Sequence, residues 1–376
     1  MSRVFAVLAQ PHAPESSGGV FGSYTTYLRD LVERAQADGW TAYAFSYRDL
    51  LKQRRLIWGW TRSNGSWERA FCVLPHVAVV RRPTLSEAEL DALTWLRDEG
   101  GVQFFNHPEI EAMTNDRWRS FHVLGSSPTL TRVISEATLL RDSATIASLS
   151  AAAPQLLAFS RYRGQANELV LLNRQTDAMV CRREYGEHAE EQTFRSLLRV
   201  RSYLESTCGE TMLVPYRQPL LIEGHPLMVR VFMQRGERAT WQSPTMLLRF
   251  GQQGMVGGRY ATAGLAHELE GVLEEQLQSR TKSFLYHIHT TVEAIVRLLD
   301  VRVHGLGELT IDFRPTTDGE LFVHDLAVSP GVLSLQRLRV PTARIAALQA
   351  TLAYALHLHA EFVTPTRLSA ASARNR

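Results

Sequence analysis

Two runs of alternating polar and apolar residues flank the dipeptide Asp318-Gly319 near the end of the chain. Leu309, Ile311, Phe313, Phe322, Leu326 and Val328 fall on one side, interrupted only by His324. A period of two predicts an antiparallel hairpin with one face on a core and the other on a cleft. Asp-Gly favours a two-residue type I′ turn, because both central positions need positive φ. Pairing Thr317 with Glu320 then sets Asp312 opposite Asp325, Thr310 opposite Ala327 and Glu308 opposite Ser329. Facing aspartates repel, and a Mg²⁺ between them would remove that cost. A solvated acidic face balanced by nearby arginine is the competing reading.

Upstream, the pattern changes twice. Residues 4–9 and 41–45 read as strands around a helix at 24–37, a βαβ unit. Residues 77–80 form a third apolar run. Ser86 caps a helix over 87–99, which Gly100-Gly101 stops, and residues 102–105 return as a strand. Strands alternating with helices predict a parallel α/β domain over residues 1–106. The loop holding Gly18, Gly19 and Gly22 lacks the G-x-G-x-x-G order and reads as an ordinary βα connection. Trp58, Trp60 and Trp67 surround Arg62-Ser63-Asn64-Gly65, a turn signal, and predict a hairpin packed on this domain.

The middle has α+β texture. Residues 169–173 and 178–182 read as a hairpin, and 187–205 as an amphipathic helix. Residues 213–219, 226–234 and 239–250 read as strands, and 265–299 as a long helix. The last helix begins at Pro341 and runs to about Phe362, leaving a frayed tail over 363–376.

Composition narrows the class. The 376 residues are 45% hydrophobic and 21% charged, with a net charge of +3, which fits two or three globular domains. Cys72, Cys181 and Cys208 are widely spaced, with no C-x-x-C pair, which fits a reducing compartment and argues against structural zinc. No stretch reads as a signal peptide or membrane span, so a cytoplasmic location and no membrane partner are expected. Arginines are scattered along the chain, so no nucleic-acid partner is expected. His287 with His289, and His357 with His359, are two apart on helices and cannot share a metal as i, i+4 pairs do. Ser16-Ser17 has no nucleophile elbow around it.

The order of elements and several short motifs resemble the ATP-grasp fold, and within it the YheC/YheD family associated with the endospore coat. Trp67 and the run 75–82 ending in Arg81-Arg82 open the likeness. Phe105-Asn106, Asp116-Arg117-Trp118 and Pro128-Thr129 continue it. Val214-Pro215-Tyr216, Gln218-Pro219, Val229-Arg230-Val231, Trp241 and Arg249 mark the second lobe, and Gly307-Glu308-Leu309, Asp312 and Asp325 complete the match.

The resemblance implies an N-terminal parallel α/β, pre-ATP-grasp-like domain followed by a two-lobed α+β ATP-grasp domain over 107–362. Its first lobe would cover about 130–210 and its second about 211–335. It also implies a cleft holding ATP and Mg²⁺. Arg230 and Arg249 would be catalytic clamps on phosphate or carboxylate, Arg174, Gln218 and Arg230 would bind the nucleotide, and Asp312, Asp325 and Glu308 would hold the metal.

Several positions depart from that pattern. Asp325-Leu326-Ala327 stands where the family has glutamate-x-asparagine, and alanine cannot ligate a metal. Asn173 replaces the first lobe's lysine, with Arg174 adjacent. The expected glycine-rich cover, at residues 174–179, has no glycine, and Met228 replaces an aspartate.

Three readings stand open. One is a catalytically impaired ATP-grasp protein acting as a binding or structural partner of spore-coat proteins or of an active paralogue. Another is an active Mg-ATP-dependent carboxylate-amine or carboxylate-thiol ligase, working through an acyl phosphate on a small-molecule carboxylate. The third is a non-nucleotide α/β ligand-binding protein.

Overall fold

The computed structural model describes residues 3–11, 19–82, 85–134, 136–163, 168–186, 188–243, 245–256, 267–268, 273–274, 280–303, 305–328 and 341–373. Three sheets organise them. The first is seven-stranded and carries the expected parallel core. Arg3–Leu8 pairs in parallel with Trp40–Phe45 on one side and Val77–Val80 on the other, and Val77–Val80 pairs in parallel with Gln103–Phe104. Helix Thr25–Ala37 buries Leu28, Leu31 and Val32 against one face of this sheet. Helix Glu87–Asp98 begins at Ser86 through the capping box that the sequence predicts, and packs Leu93 and Leu96 on the other face.

Strands Leu56–Ser63 and Ser66–Val73 form the tryptophan hairpin. Asn64 and Gly65, at φ 48° and 78°, make its two-residue turn. Phe21 meets Trp67 edge-on at 5.1 Å, which fastens the hairpin to the domain.

The second sheet is antiparallel and six-stranded, with Gln155–Ser160 between Leu169–Arg174 and Thr211–Pro215. Helices Ser143–Ala152 and Leu197–Cys208 cover it through Ile146, Val200 and Leu204. The third sheet is seven-stranded and centres on His225–Arg235, which pairs with Met246–Phe250 and Glu308–Pro315. Helix Thr281–Arg302 backs it with Ile288, Val292, Ile295 and Leu299. The last helix, Pro341–Ala373, returns to the first sheet, where Leu348, Leu352 and Ala355 join Phe5 and Val7. All three cysteines are free and buried.

Four expectations change. Residues 188–194 are not helical: His188–Phe194 is a strand on the sheet edge, and the helix begins only at Leu197. Its Glu- and Gln-rich sequence has helical propensity, but pairing overrides it. Gly186 at φ 60° allows the tight reversal, and Arg183 reaches Glu190 across the strands at 3.0 Å. The stretch 265–299 is not one helix, because His267–Glu268 pairs as a strand with Leu247 and Leu248. The terminal helix extends past Phe362 to Ala373.

The fourth change concerns the turn at Asp318-Gly319. Thr316, not Thr317, pairs with Glu320, so the loop holds three residues, with Gly319 at φ 86°. The Thr316 hydroxyl bonds Asp318 and accepts from the Glu320 amide at 3.1 Å, which selects the longer loop. This shifts the register near the turn by one residue. A bulge at His324 shifts it back, so Phe313 pairs with Val323 while Asp312 pairs with Asp325 and Thr310 with Ala327. The proposed partner of Glu308, Ser329, lies outside the described residues.

Candidate functional site

Asn106, two residues beyond the Gln103–Phe104 strand of the first sheet, ties the hairpin in place. Its Oδ1 accepts from the amides of Gly307 and Glu308, both at 2.8 Å, and its Nδ2 donates to the Val328 carbonyl at 2.5 Å. Gly307 is needed for this approach, because a Cβ there would lie 2.5 Å from the Tyr354 ring and 2.7 Å from Phe105. Glu308 therefore enters a closed junction. Its Oε2 lies 2.7 Å from Arg81 Nη1, and its Oε1 accepts from Gln234 at 2.8 Å and Thr351 at 2.7 Å. Both side chains of the Arg81–Glu308 pair are 1% exposed. Glu308 is thus no metal ligand beside Asp312. Four residues of strand separate the two, roughly 13 Å, and its oxygens join the first sheet to the third and to the last helix.

Asp312 and Asp325 do face each other, and arginines occupy the space around them. Arg230, directly opposite Asp312 on the neighbouring strand, donates from Nε and Nη2 to its two oxygens, each at 2.6 Å. Arg249 Nη1 lies 3.8 Å from the same carboxylate. Asp325 pairs with Arg163 and lies 3.5 Å from Arg117. Four guanidinium groups around two carboxylates leave this cluster at a net +2.

The charges tune one another. Burial opposes ionisation of Asp312, but Arg230 and then Arg249 outweigh it and hold the carboxyl at about 2. Burial likewise opposes ionisation of Asp325, and Arg163 and Arg117 pull it below its ordinary value. Burial, followed by the Arg117 and Arg230 charges, lowers Arg163.

This donor set does not fit Mg²⁺ held between Asp312 and Asp325. Both Asp312 oxygens already accept charge-assisted bonds, and Ala327, one strand step from Asp325 on the same face, offers no oxygen. Among the described residues no three His, Cys, Asp or Glu side chains converge. Arg230 and Arg249 clamp a carboxylate, but it is the protein's own.

The remaining expected ligands lie apart from this cluster. Arg174 is exposed at the end of Leu169–Arg174, opposite Met179. The Gln218 side chain is also exposed, while its carbonyl accepts from the Thr317 amide at 3.2 Å and links the strand connection to the hairpin turn. Asn173 pairs with Gln155 and Val180 and brings no charge. The chain has only two lysines. Lys52 lies over Trp95 in the first domain, and Lys282 is exposed on helix Thr281–Arg302. Neither belongs to the six-stranded sheet.

Sequence reading missed Arg117, Arg163, Arg314 and His324. Arg314 was detectable, because it is two residues beyond Asp312 and strand alternation puts both on one face. Arg163 carried no local signal.

Between the second and third sheets lies a small pocket of about 30 Å³. Leu157, Phe159 and Val214 come from the six-stranded sheet, and Arg314, Phe322 and His324 from the hairpin. Pro215, Arg217 and Phe322 also line a wider outer cavity of about 490 Å³, so they form the threshold between the two. Burial and the charge of Arg314 push His324 down to about 3, so its imidazole is neutral.

Two antiparallel lobes closing on such a cleft, behind a parallel α/β domain, define the ATP-grasp fold. Solved structures share it at low identity. N5-carboxyaminoimidazole synthetase from Staphylococcus aureus, complexed with ADP, is 12% identical with a TM-score of 0.53, covering 93% of this chain and 78% of that one. D-alanyl-alanine synthetase A from Vibrio cholerae is 9% identical with a TM-score of 0.54, covering 95% and 99%. A Chryseobacterium gregarium RiPP-associated ATP-grasp ligase, in complex with ADP and a leader and core peptide, is 9% identical with a TM-score of 0.54, covering 94% and 96%. No curated protein matches the chain. The YheC/D like ATP-grasp family profile matches residues 101–358, and the chain belongs to that family. No helix among the described residues is long and apolar enough to cross a membrane.

Proposed function

We propose that this protein is a catalytically impaired ATP-grasp protein whose interlobe cleft binds ligands without Mg²⁺, and that it acts as a binding or structural partner. Its partners on this reading are spore-coat proteins or an active paralogue. The observation that supports it is the two-point bond from Arg230 to Asp312, 2.6 Å on each side. Phosphoryl transfer requires cations that offset charge on the moving group, and a metal held by free carboxylate oxygens is the usual source. Here those oxygens are committed to arginine. The +2 cluster can attract an anion, but each guanidinium nearest a carboxylate must leave it before it can clamp a substrate.

Calorimetric titration of ATP into the whole protein, with and without Mg²⁺, tests this directly. The expected result is no Mg²⁺-dependent binding, and no change with Asp312→Asn. Micromolar Mg²⁺-dependent affinity that Asp312→Asn abolishes would instead support an active Mg-ATP-dependent carboxylate ligase.

A further inference from the structure

The tryptophan hairpin leaves one strand edge open. Ser66–Val73 pairs with Leu56–Ser63 along its whole length, and no other described strand pairs with it. The two-residue turn fixes which of its backbone groups are free. In such a hairpin the residues flanking the turn, Ser63 and Ser66, exchange both hydrogen bonds, and bonded pairs recur at every second residue. Ser66, Glu68, Ala70 and Cys72 therefore aim their backbone groups at Leu56–Ser63. Trp67, Arg69, Phe71 and Val73 aim theirs outward. Among the described residues only the Val73 carbonyl has a partner there, the Tyr43 hydroxyl at 2.7 Å, and its second lone pair stays open.

Proteins usually blunt a long open edge with lysine, proline or a bulge, because it templates pairing with another chain. This edge has none of the three, and its register with Leu56–Ser63 is unbroken over 8 residues. The Arg69 side chain does not guard it either. Its guanidinium lies over Trp58 and Trp60, at 5.4 Å and 4.8 Å, and bonds Asp49 at 2.6 Å. Phe71 and Val73 are left 60% and 57% exposed.

A second copy of the chain fits this edge in one register. A twofold axis sets the joined strands antiparallel, and only outward-facing residues can exchange hydrogen bonds across the new pair. With the axis at Ala70, Arg69 meets Phe71 of the second copy and Trp67 meets its Val73, so every outward residue has a partner. Ala70 then faces its own counterpart where the backbones come closest, and its small side chain fits. Phe71 of the second copy adds a third ring to the Arg69 guanidinium, which Asp49 already neutralises. Glu68 meets Cys72, so no like charges are opposed. The neighbouring registers fail. An axis at Arg69 opposes two guanidinium groups, and an axis at Phe71 sets Trp67 against Pro75, which has no N–H to donate.

We propose that this protein forms a homodimer by joining the Ser66–Val73 edges of two copies about a twofold axis at Ala70. The first sheets of the two copies become one continuous sheet, and Phe71 and Val73 are covered.

Sedimentation velocity on the whole protein, across about 1–100 µM, tests this. The wild type should pass from monomer to dimer within that range. Phe71→Lys puts a charge on the edge at an exposed position, and should leave monomer throughout with an unchanged Tm. Two cysteine variants report the register, each in a Cys72→Ala chain so that no intrachain disulfide competes. Ala70→Cys should give a disulfide-linked dimer on mild oxidation, because residue 70 faces itself. Phe71→Cys is more exposed but lies diagonal to its counterpart, and should crosslink at least tenfold less.

Monomer at every concentration would overturn the proposal and leave the edge to an extended peptide of another protein. A dimer that survives Phe71→Lys lies on another face, and crosslinking at residue 71 equal to that at residue 70 means another register; either also overturns it. If Phe71→Lys does not fold, the cysteine pair decides alone, and no excess at residue 70 overturns the proposal.

Discussion

Arg230 and Asp312 face each other on adjacent strands of the third sheet and bond at two points, each 2.6 Å long, with Asp312 only 5% exposed. The pair neutralises Asp312 without a metal, as Arg163 and Arg117 do for Asp325. Arg230→Met leaves Asp312 buried with only the more distant Arg249. The expected loss is about 3–5 kcal/mol, the cost of breaking a buried pair, read by urea denaturation. A loss below about 1 kcal/mol would mean that the pair is open to water.

Acid should weaken the fold through the same carboxylate. Asp312 is depressed to about 2 in the folded protein, from an ordinary value of 3.8. Its contribution is therefore present above pH 3.8 and is lost as the pH falls toward 2, on the order of 2 kcal/mol. Asp312→Asn should flatten stability across that window, as measured by denaturation at pH 2 to 5.

Glu111 predicts the opposite slope. It is 3% exposed on helix Pro108–Asn115, and burial pushes it up to about 8 against the pull of Arg81. A raised acid stabilises fully below its ordinary value of 4.5, and that contribution is lost as the pH rises toward 8. Glu111→Gln should therefore gain more than about 1 kcal/mol over wild type at pH 8, and less at pH 5. Equal gains at both pH values would show that Glu111 does not titrate there.

Gly307→Ala should destabilise by about 1–3 kcal/mol or more, since the new methyl would stand 2.5 Å from Tyr354 and 2.7 Å from Phe105. Tyr354→Leu in the same chain should recover part of that loss. Thermal melts of the single and double variants decide the point.

Ala327→Asn returns an oxygen donor to the hairpin, but it should not bring Mg²⁺ binding, because Asp312 and Asp325 keep their arginines. Calorimetric Mg²⁺ heat appearing in this single variant would show that the arginines yield to metal.

The sequence by itself determined the parallel strands of the first sheet, the Ser86 helix cap and the facing of Asp312 and Asp325. These follow from short-range periodicity and from turn and cap residues, which act over a few positions. Even the register of the two aspartates was legible, although for an incomplete reason: a longer loop and a bulge at His324 cancel. Only the tertiary structure decided what those aspartates do. Arg163 and Arg117 arrive at Asp325 from far along the chain, Glu308 is claimed by Arg81 of another domain, and residues 188–194 become a strand through pairing with 179–185. A buried charge is governed by whichever countercharge packs within a few ångströms of it, and periodicity along one strand carries no information about which distant segment brings that partner.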